Sequence, residues 1–362
     1  MKLVTHLRTS LAAMLSIVYF AAPAQAQVTI YGSIDDGVTH VNNYNGQSKT
    51  WLQDGLNRSN ALGFTGVEDL GNGNRAVFKL ETGFSVNSGV LGQGGLIFGK
   101  QAYVGLGSND IGQLTLGRQY DMMIGMLGYL PCWACGLFSV QNADLDRLSG
   151  QRLNNSVLFQ SRTIGKFRVN GMYAPGSVDA GSTNRGRALS FSTEYQDGPL
   201  KATAIVTDIN GAAIFAGLLG TTNVLGRRAA TNPLLLADKQ RILALASAYS
   251  MGNGRLSVIY TNTRLALGDQ ASTDQVLRIG GEVRLLPQLL LLGQISEDHF
   301  ESSRWHTLNV GLTRSLSKRT DIYIDGAYQR ASGAGTVASI ALTAPSSSAS
   351  QVVTRVGIKH MF

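Results

Sequence analysis

Charge is scarce in this chain, and so are proline and cysteine. Of 362 residues only 15% are charged, 7 are Pro and 2 are Cys. Soluble surfaces carry more charge than this, so the two soluble domains that the length would allow fit poorly. Long apolar runs are missing as well. Past the N-terminus no stretch of roughly 18 apolar residues occurs, so no transmembrane helix is available. The cysteines, Cys132 and Cys135 in Pro131-Cys132-Trp133-Ala134-Cys135, have no second Cys-x-x-Cys and no His cluster beside them, which excludes zinc. No metal or cofactor is expected. In an exported chain the pair suits a local disulfide, with redox chemistry and two free thiols as the open alternatives. Histidine is sparse too: beyond the first 26 residues only His40, His299, His306 and His360 remain. None has a Gly-x-Ser-x-Gly segment nearby, so a hydrolase of the Ser-His kind lacks its parts.

What is present begins with an export signal. Lys2 and Arg8 precede an apolar stretch from Leu11 to Ala22, and Ala24-Gln25-Ala26 offers a small-residue cleavage site. Residues 1–26 are read as a signal peptide and 27–362 as one domain. The apolar stretch is too short for a retained membrane anchor. The net charge of +8 drops by two once the signal is removed. Its basic residues recur singly along the chain instead of gathering in a patch, which argues against nucleic acid.

The recurring pattern has period two. In Arg278-Ile279-Gly280-Gly281-Glu282-Val283-Arg284-Leu285 the odd positions are apolar or Gly, and the even ones are mostly charged. Leu308 to Leu312, Ile322 to Gly326, Leu256 to Tyr260 and Phe78 to Glu81 alternate in the same way. Strand side chains alternate faces, so each segment has one apolar and one polar face. A barrel with lipid outside and water inside needs an apolar residue at every second position, which averages to a mean hydropathy near zero; the value is +0.03.

Connections alternate between short and long. Tight-turn signals such as Gly71-Asn72-Gly73, Asp197-Gly198-Pro199 and Gly252-Asn253-Gly254 punctuate one side. Longer links fall at about 42–58, 88–97, 120–151, 175–185, 209–239, 265–273, 299–304 and 331–349. Between them lie sixteen strands, near 28–41, 59–68, 75–87, 98–107, 112–119, 152–161, 165–174, 186–196, 200–208, 240–250, 254–264, 274–285, 288–298, 305–315, 319–330 and 351–362. The fold class is therefore all-β, a transmembrane antiparallel barrel with short periplasmic turns and long extracellular loops. A soluble sandwich or propeller would alternate too, but it requires no short/long rhythm. Closure is obligatory in lipid, because an open edge leaves backbone groups unsatisfied. The last strand must pair with the first.

Several segments carry a family resemblance. Val28-Thr29-Ile30-Tyr31-Gly32 resembles a first strand, and Gly63 to Gly73 running on to Phe84 a second hairpin, of the Gram-negative porins of the Burkholderia, Bordetella and Neisseria type. Ala102 to Leu106, Gly112 to Gln119 and Arg152 to Val157 are similar to later strands. Arg355 to Phe362 resembles the C-terminal assembly signal that ends on an aromatic. The resemblance covers the whole chain. It implies a general-diffusion porin in the outer membrane, a homotrimer among outer-membrane lipid and lipopolysaccharide, inserted by the barrel-assembly machinery and passing small hydrophilic solutes and ions. Such porins usually carry Arg where Ala61 stands and often a basic residue at Thr65, and the Pro-Cys-Trp-Ala-Cys segment has no counterpart in the pattern. The resemblance thus carries the fold and not the ion selectivity.

In this family the long third loop folds inward and forms the constriction, which implies residues 120–151 here. That loop carries Asp121, Asp144, Asp146 and Arg147, with Arg118 and Arg152 flanking it. Alternation puts Lys79, Glu81, Arg168, Arg278, Glu282, Arg284, Arg355 and Lys359 on the water side. The loop is also rich in apolar residues (Met122, Met123, Met126, Leu130, Phe138), which would be costly in water and are better buried against an inner wall. Basic lumen residues outnumber acidic ones, which points to anions, while the loop carboxylates point the other way. Two other functions remain on this reading: an adhesin or purely structural barrel, and a barrel enzyme.

Overall fold

The computed structural model describes residues 27–176 and 185–362; the expected signal peptide and most of the expected link at 175–185 lie outside them. Nineteen strands follow in chain order: β1 Gln27–Tyr44, β2 Gln47–Asp54, β3 Ala61–Gly71, β4 Asn74–Gly83, β5 Gln101–Ser108, β6 Gly112–Tyr120 and β7 Arg152–Ser161. Then come β8 Phe167–Pro175, β9 Arg187–Asp197, β10 Leu200–Ile214, and the short pair β11 Asn223–Val224 and β12 Arg227–Arg228. The chain ends with β13 Leu235–Met251, β14 Gly254–Leu267, β15 Gln270–Leu286, β16 Leu289–Phe300, β17 Ser303–Ser315, β18 Thr320–Ser332 and β19 Ser350–Met361.

All but β11 and β12 belong to one antiparallel sheet. It closes on itself: β19 pairs with β1 from Ser33↔Met361 to Val41↔Val353, as lipid demands of any edge. On its other side β1 pairs with β3 through its first half and with β2 through its second. β2 and β3 therefore share one place in the wall, and the barrel has sixteen strand positions. Exposed Leu277 and Ile279 alternate with buried Val276 and Arg278 on β15, so the period-two pattern does sort side chains into an outward apolar face and an inward polar one.

Several strands reach further on the long-loop side than expected, whereas those expected at 75–87 and 98–107 stop short there, at Gly83 and Gln101. Most of the expected loop at 42–58 is strand: Asn45-Gly46, both at positive φ, make a tight hairpin between β1 and β2, and only 55–58 lie outside the ladder. Asn-Gly is a strong hairpin signal, and here it outweighs the polar composition of its surroundings. The expected loops at 265–273 and 299–304 shrink to two-residue turns at 268–269 and 301–302, and 209–239 shrinks to 215–234. Polar residues there continue the ladder because, beyond the lipid, both faces of a strand are wet and alternation is lost.

The wall breaks once, between β2 and β3. Residues 55–60 turn around Asp35: Gly55 N donates to its carbonyl at 2.8 Å. The amides of Asn57 and Arg58 donate to its carboxylate at 2.7 and 3.2 Å, and Asp35 N donates to Asn60 Oδ1 at 2.7 Å. This satisfied turn thrusts Leu56 inward, where it is buried with Phe138, Val353 and Ile340.

Candidate functional site

Loop 3 (121–151) folds into the barrel. Its two 3-10 turns, Met122–Tyr129 and Trp133–Ser139, pack on the inner faces of β9, β10, β13 and β14, and of β16, β17 and β18, respectively. Met123, Met126, Leu145 and Leu148 are fully buried in one cluster with inward Ile205, Ile242 and Ile259. At the second turn Cys132 and Cys135 are joined by a disulfide and lie buried against inward Leu290 and Leu292.

Polar wall side chains lash the loop down. Loop carbonyls at Leu145, Ser139 and Phe138 accept from Gln240, Gln294 and Asn309 at 2.7–2.9 Å. Arg255 reaches the carbonyls of Gly128 and Leu130. Gln141 donates to Asp274 and Asp298 at 3.0 and 2.7 Å. The broken wall joins in: Asn57 donates to the Ala134 carbonyl, and Leu137 N donates to the Leu56 carbonyl at 3.1 Å. There Gly136 has φ 56, and a Cβ on it would fall 2.1 Å from that same carbonyl oxygen. Only glycine allows this approach.

The candidate residues divide by what they touch. Asp146 meets the wall: its carboxylate accepts from Arg278 at 2.8 Å and Thr261 at 3.1 Å, all three buried. Asp121 does not; it pairs with Arg147 of its own loop at 2.5 Å and caps the first turn through Met123 N. Nor does Asp144, which takes hydrogen bonds from Ser149 and Gln151. Burial and the nearby Asp146 push its carboxyl up to about 6. Of the three loop carboxylates only Asp146 meets a basic wall residue, because the loop satisfies the other two internally.

On the wall, Glu282 accepts from Trp133 and lies 3.7 Å from Arg255. Lys359 donates to Asn57 at 3.0 Å and sits 3.4 Å from Asp321, with its ammonium over the Trp133 ring. Arg355 bonds Tyr323 and Thr39 beside Asp35. Away from the loop's contacts, on β4, Glu81 accepts from Tyr31 at 2.5 Å and lies 3.3 Å from Lys79 and 3.8 Å from Lys100. Arg152 stacks on Tyr120 and donates to its hydroxyl.

Three candidates sit elsewhere. Arg118 pairs with Ala102 next to the Leu116–Val104 pair, whose side chains are exposed; register thus turns Arg118 outward, to the Gly99 carbonyl and Asn154. Arg168 and Arg284 point inward by alternation but stand at the short-turn mouth, bonded to Thr163 and the Pro287 carbonyl. Sequence reasoning missed Tyr31, Asn57, Lys100 and the amides Gln141, Gln240, Gln294 and Asn309. The last three occupy inward strand positions, where a bulky amide among small or charged residues was the available signal.

A closed sixteen-position barrel with a polar interior and a loop folded into it defines a membrane channel of the diffusion type. The model of the Gram-negative porin family matches residues 10–334, and the chain belongs to that family. Outer membrane porin protein 32 of Delftia acidovorans is 27% identical over 94% of this chain and 96% of that protein. An outer membrane porin of Bordetella pertussis is 29% identical over 56% of this chain and 59% of its own length. Among solved structures, an anion-selective porin from Comamonas acidovorans has a TM-score of 0.77 at 22% identity, covering 93% of this chain and all of that one. The protein is an outer-membrane porin, a channel for passive diffusion of ions and small hydrophilic solutes.

Proposed function

We propose that loop 3 forms the constriction of this channel and that the open passage runs between it and the wall of β1 and β3–β7. The passage favours anions. One observation carries this reading: two of the three loop carboxylates are buried and ion-paired, Asp121 with Arg147 and Asp146 with Arg278, and the half-buried Asp144 is held by Ser149 and Gln151 of its own loop. The facing wall, by contrast, sets Lys79 and Lys100 against the single Glu81. An unmatched cation beside a low-dielectric wall attracts anions at long range. The Comamonas porin, named as anion-selective, supports the same sign. Reversal potential across a salt gradient in a planar bilayer tests it: a cation-selective value refutes the assignment.

Residues 1–26 serve as a signal peptide that is cleaved, and the mature barrel assembles as a homotrimer after recognition of its C-terminal strand by the barrel-assembly machinery. N-terminal sequencing and cross-linking in native membranes test these two statements. The channel carries no catalytic site. In support, His40, His299, His306 and His360 all fall on outward strand positions, by register with exposed Val38, Ile295, Leu308 and Ile358.

A further inference from the structure

Cys132 and Cys135 close a ring of only four residues. A disulfide stabilises a fold mainly by restraining the unfolded chain, and that restraint shrinks with the ring, so this bridge does little for the barrel as a whole. Its surroundings point to another use. One lateral row of wall positions runs beneath it: Glu282 beside Leu292, Leu292 beside Gly311, Gly311 beside Asp325, and Asp325 beside Arg355. The sulfurs occupy the place in this row that has no side chain. A Cβ on Gly311 would stand 3.1 Å from Cys135 Sγ, 3.8 Å from Cys132 Sγ and 2.9 Å from Asp325 Oδ1. The disulfide and this carboxylate therefore share one pocket, bounded by Leu290 and Leu292.

Asp325 is 1% exposed and both cysteines are 0%. Its Oδ2 accepts from Asn57 at 3.1 Å, but among the described residues nothing donates to its Oδ1. Arg355, next in the row, is engaged by Tyr323, Thr39 and the Gly37 carbonyl. A buried carboxylate oxygen without a donor is costly. A disulfide has no proton to give it, whereas a thiol does. Reduction also needs room, because two bonded sulfurs must part to van der Waals distance and a close-packed pocket does not absorb that. With Cys135 kept at Asp325, the movement falls on Cys132 and on its neighbour Trp133. That indole donates to Glu282 and lies under the Lys359 ammonium, so its displacement loosens the tip.

We propose that Cys132 and Cys135 are a redox-active pair that latches the tip of loop 3: a dithiol opens the bond, the Cys135 thiol then donates to Asp325, and the tip leaves the wall. A thiolate of the dithiol attacks Cys132 Sγ, the S–S bond breaks, and Cys135 leaves as a thiolate that takes up a proton. The second thiol then displaces Cys132. Two electrons and two protons pass to the cysteines, and the dithiol closes into its own disulfide. Because both sulfurs are fully buried, attack requires the tip to lift, so docking and redox state bias each other reciprocally. That a loosened tip widens the passage rests on the reading of loop 3 as the constriction.

The test equilibrates the full-length barrel with mixtures of reduced and oxidised dithiothreitol and counts thiols by alkylation and mass. Reduction should speed deuterium uptake at the Cys135 and Leu137 amides, bonded to the Cys132 and Leu56 carbonyls at 2.9 and 3.1 Å, by roughly tenfold or more. It should also raise single-channel conductance, and reoxidation should reverse both. Cys132→Ser with Cys135→Ser should resemble the reduced protein and ignore dithiothreitol. Asp325→Asn keeps an acceptor for Asn57 but turns an N–H toward the sulfurs. It should therefore move the redox midpoint about tenfold toward the disulfide, the worth of one hydrogen bond to a charged group. Gly136→Ala, which unseats the tip, should speed reduction. A fully alkylated dithiol with unchanged uptake, or an Asp325→Asn midpoint within about twofold of wild type, overturns the proposal. If uptake accelerates while neither reduction nor Gly136→Ala alters conductance, the latch stands and the constriction reading alone fails.

Discussion

Breaking the Asp146–Arg278 pair should change the current in opposite directions depending on which partner is removed. Both side chains are essentially inaccessible, at 0% and 1% exposure. Removing one partner of such a pair costs about 3–5 kcal/mol, because the other is left buried and uncompensated. The remaining anchors near this end of the loop, Gln240 on the Leu145 carbonyl and Gln141 on Asp274 and Asp298, contribute roughly 1 kcal/mol for each bond, somewhat more where the acceptor is charged. Burial of Leu145 and Leu148 adds roughly 2 kcal/mol for each side chain, so the loss removes a large share of what holds residues 144–148, and this segment should detach for a minor part of the time while residues 128–142 stay docked. Asp146→Asn frees a guanidinium toward the passage and should move the reversal potential toward anions. Arg278→Gln frees a carboxylate and should move it toward cations. Both shifts should grow from 0.1 M to 0.01 M salt as the screening length rises from about 10 to about 30 Å, and both single variants should show added current noise. The double variant should return close to wild type in selectivity, since no bare charge remains. Single-channel recording in a planar bilayer supplies all of these readings. If the two single variants shift selectivity in the same direction, or neither shifts it, the pair does not border the passage and loop 3 is not the constriction.

Other outcomes follow from the same geometry. Asp144 has its carboxyl raised to about 6 from an unfolded value near 4, so the docked loop holds the proton more tightly than the free loop. Ionisation then opposes docking by about 3 kcal/mol above pH 6, an effect that disappears below about pH 4. Loop noise should rise as pH passes from 4 to 6, and Asp144→Asn should flatten that dependence; a flat wild-type profile would refute it. Gly136→Ala places a Cβ against the Leu56 carbonyl and should undock the loop tip, raising conductance or admitting larger sugars in liposome swelling. Deleting Phe362 removes the closing rung with Gly32, bonded at 2.9 and 3.1 Å, and should lower the yield of heat-modifiable barrel in the outer membrane. Epitopes inserted at 45–46 or 268–269 should be reached on intact cells and one at 252–253 should not; Leu225 and Ile340, 1% exposed each, are poor insertion sites.

The barrel was legible because lipid enforces alternation: an inward Arg278 between outward Leu277 and Ile279 needs no tertiary context to be placed. Strand ends were not legible where that pressure stops. Ser272 and Thr273, or Glu301 and Ser302, read as loop by composition, yet they complete ladders or two-residue turns. Arg118 misled for a related reason. It follows Gly117, where β6 meets an irregularity opposite Asn154 and Asn155, and its charge suggested the lumen while its register faces outward. Loop 3 was legible as a buried segment from its apolar residues, but its anchors were not. They are amides on distant strands whose roles depend on which loop carbonyl arrives opposite them.

That difference bears on selectivity. Read along the chain, Asp121, Asp144 and Asp146 are three anions at the foot of a constricting loop, and they argue for cations. In the folded protein each is spent on holding the loop: one caps a turn and pairs with Arg147, one closes the 144–151 segment, and one clamps the loop to Arg278. A buried carboxylate ion-paired at under 3 Å, as Asp121 and Asp146 are, projects little field into a pore, because its partner cancels it within a few ångströms; Asp144, held by neutral donors, is the one loop carboxylate whose charge is not cancelled. The field that a passing ion meets then comes chiefly from groups the loop does not cover, Lys79 and Lys100 about Glu81. Neutralising Lys79 and Lys100 together should therefore move selectivity toward cations further than any loop carboxylate substitution moves it toward anions. The opposite ranking, measured in the same salt gradient, would return the task of selection to loop 3.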